Sequence, residues 1–312
     1  MEGLVLKSTG AWYEVLDESG EIWDCRIRGK FRMKGLKTTN PIAVGDRVEV
    51  EPEEGDEQRG IITSIADRKN YIIRKSVNLS KEAHIVASNL DQAFLFITLK
   101  KPRTSTGFVD RFLVTAEAYN VPVILIINKL DLLSESDVED LEDWMSTYTL
   151  IGYPVHAICV AESKGTEELY ELMAGKVNAL AGHSGVGKST FINQVNPGLE
   201  LRTAEISESH EKGKHTTTFA EMHQLNNGGF VIDTPGIKGF GLIDIPKNEL
   251  HHHFPEMFAL LPECKFHNCV HVNEPGCAVR GAFEAGSIPE SRYLNYLAMY
   301  EQDESENYRT GY

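Results

Sequence analysis

Residues Gly182-His183-Ser184-Gly185-Val186-Gly187-Lys188-Ser189 have the types and spacing of a phosphate-binding loop, G-x-x-x-x-G-K-[ST]. The glycines let the backbone turn tightly and aim N–H groups at phosphate oxygens. Lys188 brings a point charge to the outer phosphates. The Ser189 hydroxyl can sit on Mg²⁺, with Thr190 next in the same helical turn. A second set, Asn128-Lys129-Leu130-Asp131, has the pattern that reads guanine. The Asp131 carboxylate would accept hydrogen bonds from the ring N1–H and the exocyclic amine. Adenine supplies neither, and leaving such a buried carboxylate unpaired is costly. Asn128 would brace the base and its loop, and the Lys129 stem would cover the ring.

A third set, Asp233-Thr234-Pro235-Gly236, would hold Mg²⁺ through water at Asp233 and sense a γ-phosphate at the Gly236 N–H. Before it, residues 211–219 contain Thr216, Thr217 and Thr218, one of which would close over the metal and γ-phosphate. Thr217 is favoured; the alternative is a plain polar loop. Ras-type enzymes place a water-orienting Gln directly after the glycine, where this chain has Ile237. Slow intrinsic hydrolysis is therefore expected. His215, in the same switch, is the candidate for positioning the attacking water.

These side chains need a scaffold. Residues 177–181 read as a buried strand and 189–194 as the first turns of a helix, whose N-terminus suits an anion. Residues 121–127 form an almost wholly apolar strand ending at Asn128, as in a parallel sheet covered on both faces. Further strands are expected at 91–98, 154–160 and 229–232, and helices at 109–119, 138–147 and 165–173. The Cys159-Val160-Ala161 turn falls where backbone N–H groups could meet the guanine oxygen. Cys159 itself reads as a small buried hydrophobe with no assignable His or carboxylate partner. The base-reading set precedes the phosphate loop. A parallel sheet restricts strand neighbours and crossover hand but leaves the chain free to start elsewhere, so this is a circular permutation.

The 312 residues are 41% hydrophobic, enough for more than one core. No apolar run approaches the ~20 residues of a membrane span. Met1-Glu2-Gly3-Leu4 lacks the basic and apolar regions of a signal peptide. Of five cysteines, three crowd into 264–277, which argues for a metal site in a reducing, cytoplasmic setting. The net charge of −15 argues against indiscriminate nucleic-acid binding.

Within residues 1–70, β-prone runs at 5–6, 12–16, 22–27, 44–50 and 60–65 suit an oligonucleotide-binding (OB) β-barrel. Arg26, Arg28, Lys30, Arg32, Lys34 and Lys37 face only Asp24 in charge. With Trp23 and Phe31 this stretch reads equally as a nucleic-acid platform or as a solvated basic loop. At the other end, Cys264-x₄-Cys269-x-His271-x₅-Cys277 offers three thiolates and an imidazole to a closed tetrahedral Zn²⁺ site. His267 competes as a ligand, and His251, His252 and His253 are more distant candidates. Four protein ligands leave no open position, so the zinc would be structural. Helices at 255–261 and 292–302 would flank it.

An OB-type barrel (1–70), a circularly permuted α/β P-loop GTPase (71–245) and an α-helical zinc-binding domain (246–312) together resemble the RsgA (YjeQ) family of bacterial GTPases for small-ribosomal-subunit biogenesis. The resemblance rests on the phosphate loop, Gly213-Lys214-His215-Thr216-Thr217, Asp233-Thr234-Pro235-Gly236 and the Cys264/Cys269/His271/Cys277 spacing. It implies hydrolysis of GTP to GDP and phosphate with Mg²⁺, stimulated by the 30S subunit late in its maturation and followed by release. It also implies one structural zinc, and a monomer whose OB and zinc domains grip 16S rRNA. A non-catalytic GTP-sensing RNA scaffold is the alternative; intact Lys188, Ser189 and Asp233 favour the enzyme. A metabolic P-loop kinase is disfavoured by Asn128-Lys129-Leu130-Asp131.

Overall fold

The computed structural model describes residues 1–27, 41–53, 55, 58–75, 83–199, 201, 220–233 and 245–302. Five strands open the chain: β1 (Glu2–Ser8), β2 (Tyr13–Asp17), β3 (Ile22–Ile27), β4 (Arg47–Pro52) and β5 (Arg59–Ile65). They pair in the order β1-β2-β3-β5-β4, and β4 returns to β1 to close a barrel. Alternate residues point inward, so Val5, Tyr13, Val15, Cys25, Val48, Val50 and Ile62 fill the interior with Ile42. Trp23 packs against this core and donates its indole N–H to Asp17 Oδ2 at 2.9 Å. It is therefore a structural residue and not the platform that its place beside the arginines suggests. Arg28 to Lys37, with Phe31, lie outside the described residues.

A hairpin of β6 (Tyr71–Lys75) and β7 (Ala83–Ser88), unforeseen from the sequence, follows the barrel. Buried Asp46 clamps the two together. It accepts from Arg68 Nε at 2.6 Å, Ser88 Oγ at 2.6 Å and the Ala43 N–H at 2.8 Å.

The central sheet contains β8 (Gln92–Ile97), β9 (Val123–Ile127), β10 (Val155–Ala157), β11 (Val177–Ala181), β12 (Glu221–Gln224) and β13 (Phe230–Asp233). Its order is β10-β9-β8-β11-β13-β12, parallel except for β12, which runs antiparallel to β13. The strand before the phosphate loop thus lies between the earlier β8 and the later β13, the permuted arrangement. One face is covered by α1 (Thr106–Ala118) and α2 (Val138–Leu150), through Val109, Phe112, Leu113 and Tyr148. The other is covered by α3 (Thr166–Leu172) and α4 (Lys188–Val195), through Leu169, Phe191 and Ile192. Burial on both faces is why β8 and β9 read as continuous apolar runs. Strand β10 stops short of the expected residue 160 because Cys159 pairs with Lys164 in a tight bridge. Strand β12 also pairs with β1 at Lys7 and Glu221, whose side chains meet at 3.3 Å, so barrel and sheet are continuous.

The C-terminal region contains α5 (Pro255–Leu260), α6 (Ala278–Glu284) and α7 (Glu290–Glu301) around Leu250, Phe254, Met257, Val279, Tyr293 and Tyr296. It docks on α1. Fully buried Arg292 donates to Asp110 Oδ1 at 2.8 Å and to both Glu256 carboxylate oxygens at 2.8 and 3.2 Å. Asn295 and the Tyr148 hydroxyl donate to the same Asp110 carboxylate at 2.6 and 3.0 Å. Among the described residues no helix is long and apolar enough to cross a membrane.

Candidate nucleotide site and metal centre

The loop 182–187 leaves β11 and enters α4 through three positive-φ glycines, Gly182 (+128°), Gly185 (+80°) and Gly187 (+102°). A Cβ on Gly182 would lie 2.2 Å from the Phe96 carbonyl oxygen, and one on Gly187 2.3 Å from Asn128 Nδ2. Only glycine satisfies both the backbone and the space there. Val186 is fully buried and anchors the loop in the core beneath α4. Lys188 Nζ donates to the carbonyls of Gly182 and His183 at 2.8 and 2.9 Å, which holds the ammonium across the mouth of the loop. The His183 ring lies against Phe108 of α1 with centroids 4.0 Å apart. Ser184 is exposed, and Ser189 and Thr190 lie in the first turn of α4.

Fifty-eight positions separate Asn128 from Val186, yet Asn128 Nδ2 donates to the Val186 carbonyl at 2.8 Å. Its Oδ1 accepts from the Val160 N–H at 3.1 Å, and its backbone N–H donates to the Ile97 carbonyl. One buried amide therefore joins the loop after β9, the glycine-rich loop before α4 and the turn after β10. Lys129 adopts a left-handed φ of +66° and donates to the Lys101 carbonyl at 2.9 Å, extending its stem along this rim. Leu130 packs partly into the core beside α1. Asp131, expected as a buried carboxylate, instead stands exposed in the short turn Leu130–Leu132, because that turn lies on the surface with no buried residue.

Cys159 has the partner that sequence reasoning did not find. Its buried Sγ lies 3.2 Å from Asp131 Oδ1. Burial, reinforced by the Asp131 carboxylate, holds the thiol protonated, so it donates to that oxygen and orients it. The only trace in the sequence is a small polarisable residue at the end of an apolar strand. Backbone pairing sets Asp233 beside Leu180, two residues before Gly182. His215, Thr217 and Gly236 lie outside the described residues.

In the C-terminal region Cys264, Cys269, His271 and Cys277 converge, their ligand atoms all within 4.8 Å of one another. His271 Nδ1 faces Cys277 Sγ at 3.3 Å and Cys264 Sγ at 3.7 Å. That spacing and donor set fit tetrahedral zinc. Burial pushes the Cys269 thiol up to about 12, and the Cys277 thiol up as well; a divalent cation is what would let them ionise. His267 is exposed and outside the cluster, and His251 packs its ring edge-on to His271 at 4.8 Å. Glu274, which sequence reasoning passed over, ties the knuckle. Its carboxylate accepts from the N–H groups of Val270, Val272 and Asn273 at 2.8–3.0 Å. This stabilises the positive φ of +60° at His271.

Residues 2–62 match the RsgA N-terminal domain family and residues 65–243 the RsgA GTPase family. The chain is 53% identical over 311 residues to the small ribosomal subunit biogenesis GTPase RsgA of Flavobacterium johnsoniae, covering 99% of this chain and 95% of that one. It is 51% identical over 312 residues to the protein of that name in Bacteroides fragilis, covering all of both. The crystal structure of YjeQ from Thermotoga maritima superposes with a TM-score of 0.77 at 38% identity, over 96% of each chain. YloQ, described as a circularly permuted GTPase, superposes with a TM-score of 0.72 at 31% identity, over 96% of this chain and 93% of that one.

Proposed function

The chain belongs to the RsgA GTPase family, and on that premise we propose that it hydrolyses GTP on the maturing small ribosomal subunit and leaves the particle after turnover. The observation that carries this is the Asn128 amide, which couples the loop suited to guanine to the loop suited to phosphates. Binding one nucleotide at both ends organises a site that either loop alone leaves incomplete.

In this reading Asp131, oriented by Cys159, takes the guanine edge, Asn128 and Lys129 frame the ring, and Leu130 seats the turn. Residues Gly182 to Thr190 cradle the phosphates at the start of α4, and the Lys188 ammonium exchanges loop carbonyls for phosphate oxygens. Ser189 and, through water, Asp233 would hold Mg²⁺, which would neutralise charge on the phosphates. Thr217 and the Gly236 N–H sense the γ-phosphate, and His215 positions the attacking water. Zinc on Cys264, Cys269, His271 and Cys277 holds the C-terminal helices together. The three units 1–70, 71–245 and 246–312 act as one cytoplasmic monomer, with the barrel and zinc unit gripping 16S rRNA.

The test is GTP turnover by the purified protein alone, with 30S subunits and with 50S subunits. Stimulation by 30S alone is expected; GTP binding without stimulation by either would refute the enzyme reading and favour a nucleotide-sensing scaffold. His215→Ala is expected to keep GTP affinity and lose the stimulated turnover, and unchanged turnover would remove His215 from its role.

A further inference from the structure

The run His251-His252-His253 supplies none of the four clustered ligands, yet the fold gives one of its rings a place beside them. The run closes a short 3₁₀ helix, Lys247–His253. Residues three apart share a face in such a helix, so His251 turns inward with Phe254 while His252 stays exposed. His251 is 3% exposed, and its backbone carbonyl accepts from the Phe254 N–H at 3.3 Å. Its ring meets that of His271 edge-on, with the two planes 86° apart.

His271 is fully buried. Its Nδ1 is the nitrogen aimed at the Cys264 and Cys277 sulfurs. A neutral imidazole carries one N–H and one lone pair, so a metal on Nδ1 leaves the proton on Nε2. That Nε2 is buried without a hydrogen-bond partner among the described residues. The nearby polar side chains are engaged elsewhere. The Tyr293 and Tyr296 hydroxyls donate to the carbonyls of His271 and Val270, and the Glu274 carboxylate accepts from three backbone N–H groups. His251 Nδ1 is likewise buried and unpartnered. Two such nitrogens on touching rings are complementary, since one must donate and the other can accept. Left apart, each bears its desolvation cost.

We propose that His251 is a positioning residue for the zinc ligand: its Nδ1 accepts the Nε2–H of His271 and so fixes the tautomer that offers Nδ1 to the metal. The ring torsion of histidine is broad, and a small turn of either ring closes the bond without moving the backbone. An acceptor in this place orients the ligating ring and raises its basicity. The inference rests on the zinc reading of Cys264, Cys269, His271 and Cys277, and it adds a residue that does not touch the metal.

The experiment measures the zinc affinity of the full chain by competition with a chromophoric chelator. His251→Phe keeps a ring but removes the acceptor. His251→Asn sets an amide oxygen as many bonds from the backbone as Nδ1. His252→Ala alters the exposed neighbour. His251→Phe is expected to weaken zinc binding roughly 10- to 100-fold, the range for loss of such a partner. His251→Asn should recover most of the affinity, and His252→Ala should leave it unchanged. Cobalt(II) in place of zinc should give the same tetrahedral absorption bands in every variant, because the ligand set is the same. Nitrogen-15 NMR of the zinc-loaded parent should show His271 protonated on Nε2, with a downfield, hydrogen-bonded proton that moves upfield in His251→Phe and returns in His251→Asn. Equal zinc affinity of His251→Phe and parent overturns the proposal. Equal weakening by His251→Phe and His251→Asn reduces His251 to packing, and altered cobalt bands make it a ligand; either result also overturns it. If His251→Phe does not fold, the parent spectrum decides: a His271 proton on Nδ1, or an Nε2 proton at the position of a free one, is equally fatal. A parent chain that binds no zinc sinks the zinc reading itself, whereas one zinc per chain held equally well without His251 sinks this inference alone.

Discussion

Arg292→Met tests how the C-terminal unit is attached to the nucleotide-binding sheet. The guanidinium is fully buried between Asp110 of α1 and Glu256 of α5, makes three hydrogen bonds to them, and lies 4.5 Å from the Phe254 ring centroid. Met fills similar volume but leaves Asp110 fully buried and Glu256 nearly so, without their cation. Breaking a buried pair in this way costs about 3–5 kcal/mol. With a urea m-value of about 2.5–3 kcal/mol/M, the unfolding midpoint drops by roughly 1–2 M.

The loss also depends on pH. Burial already holds the Asp110 carboxyl above its ordinary value, against the pull of Arg292, Asn295 and Tyr148; without Arg292 it rises further. For a carboxyl raised in the folded state, the native protein takes up its proton at higher pH than the unfolded chain does. Stability is then gained as pH falls through the raised value and lost as pH climbs through it. The difference between Arg292→Met and parent should therefore narrow from pH 8 toward pH 5. Replacing Asp110 and Glu256 by Leu in the Arg292→Met background should recover much of the loss, because an apolar triad carries no desolvation burden. A drop below about 1 kcal/mol, or one that widens on acidification, would refute the reasoning.

Asp131→Asn should lower guanine-nucleotide affinity on the order of 10⁴-fold in a competition titration, since one acceptor oxygen becomes an N–H donor facing a donor on the base edge. Cys159→Ala should cost only about 2- to 12-fold, the worth of one hydrogen bond, and Cys159→Ser should restore it. Gly187→Ala forces a Cβ against Asn128 Nδ2 at a positive φ, so nucleotide binding should vanish in titration and stability fall by about 1–3 kcal/mol. A thiol-displacing reagent should release one zinc per chain and abolish the near-ultraviolet dichroism of Tyr293 and Tyr296. Their hydroxyls donate to the carbonyls of His271 and Val270, whereas the base and phosphate loops lie elsewhere, so GDP binding should survive.

The candidate sites of this chain were legible in its sequence because the residues of each set are contiguous. A phosphate loop, a base-reading turn and a metal knuckle each need particular residues within a few positions, and local backbone geometry does the rest. The alternation of the barrel strands and the apolar runs of β8 and β9 were legible for the same reason, since a buried face imprints its period on the chain. What the tertiary structure alone decided depends on residues far apart in sequence. No local pattern announces that the Asn128 amide will close on the Val186 carbonyl, that Cys159 will meet Asp131, or that Arg292 will be buried between Asp110 and Glu256. Strand β12 and the hairpin of β6 and β7 are short, and their identity comes from the neighbours they pair with rather than from their own composition. Trp12 and Trp23 look interchangeable on paper. Only closure of the barrel turns one ring inward and leaves the other outside under Arg59, because register, not residue type, decides which face a side chain takes.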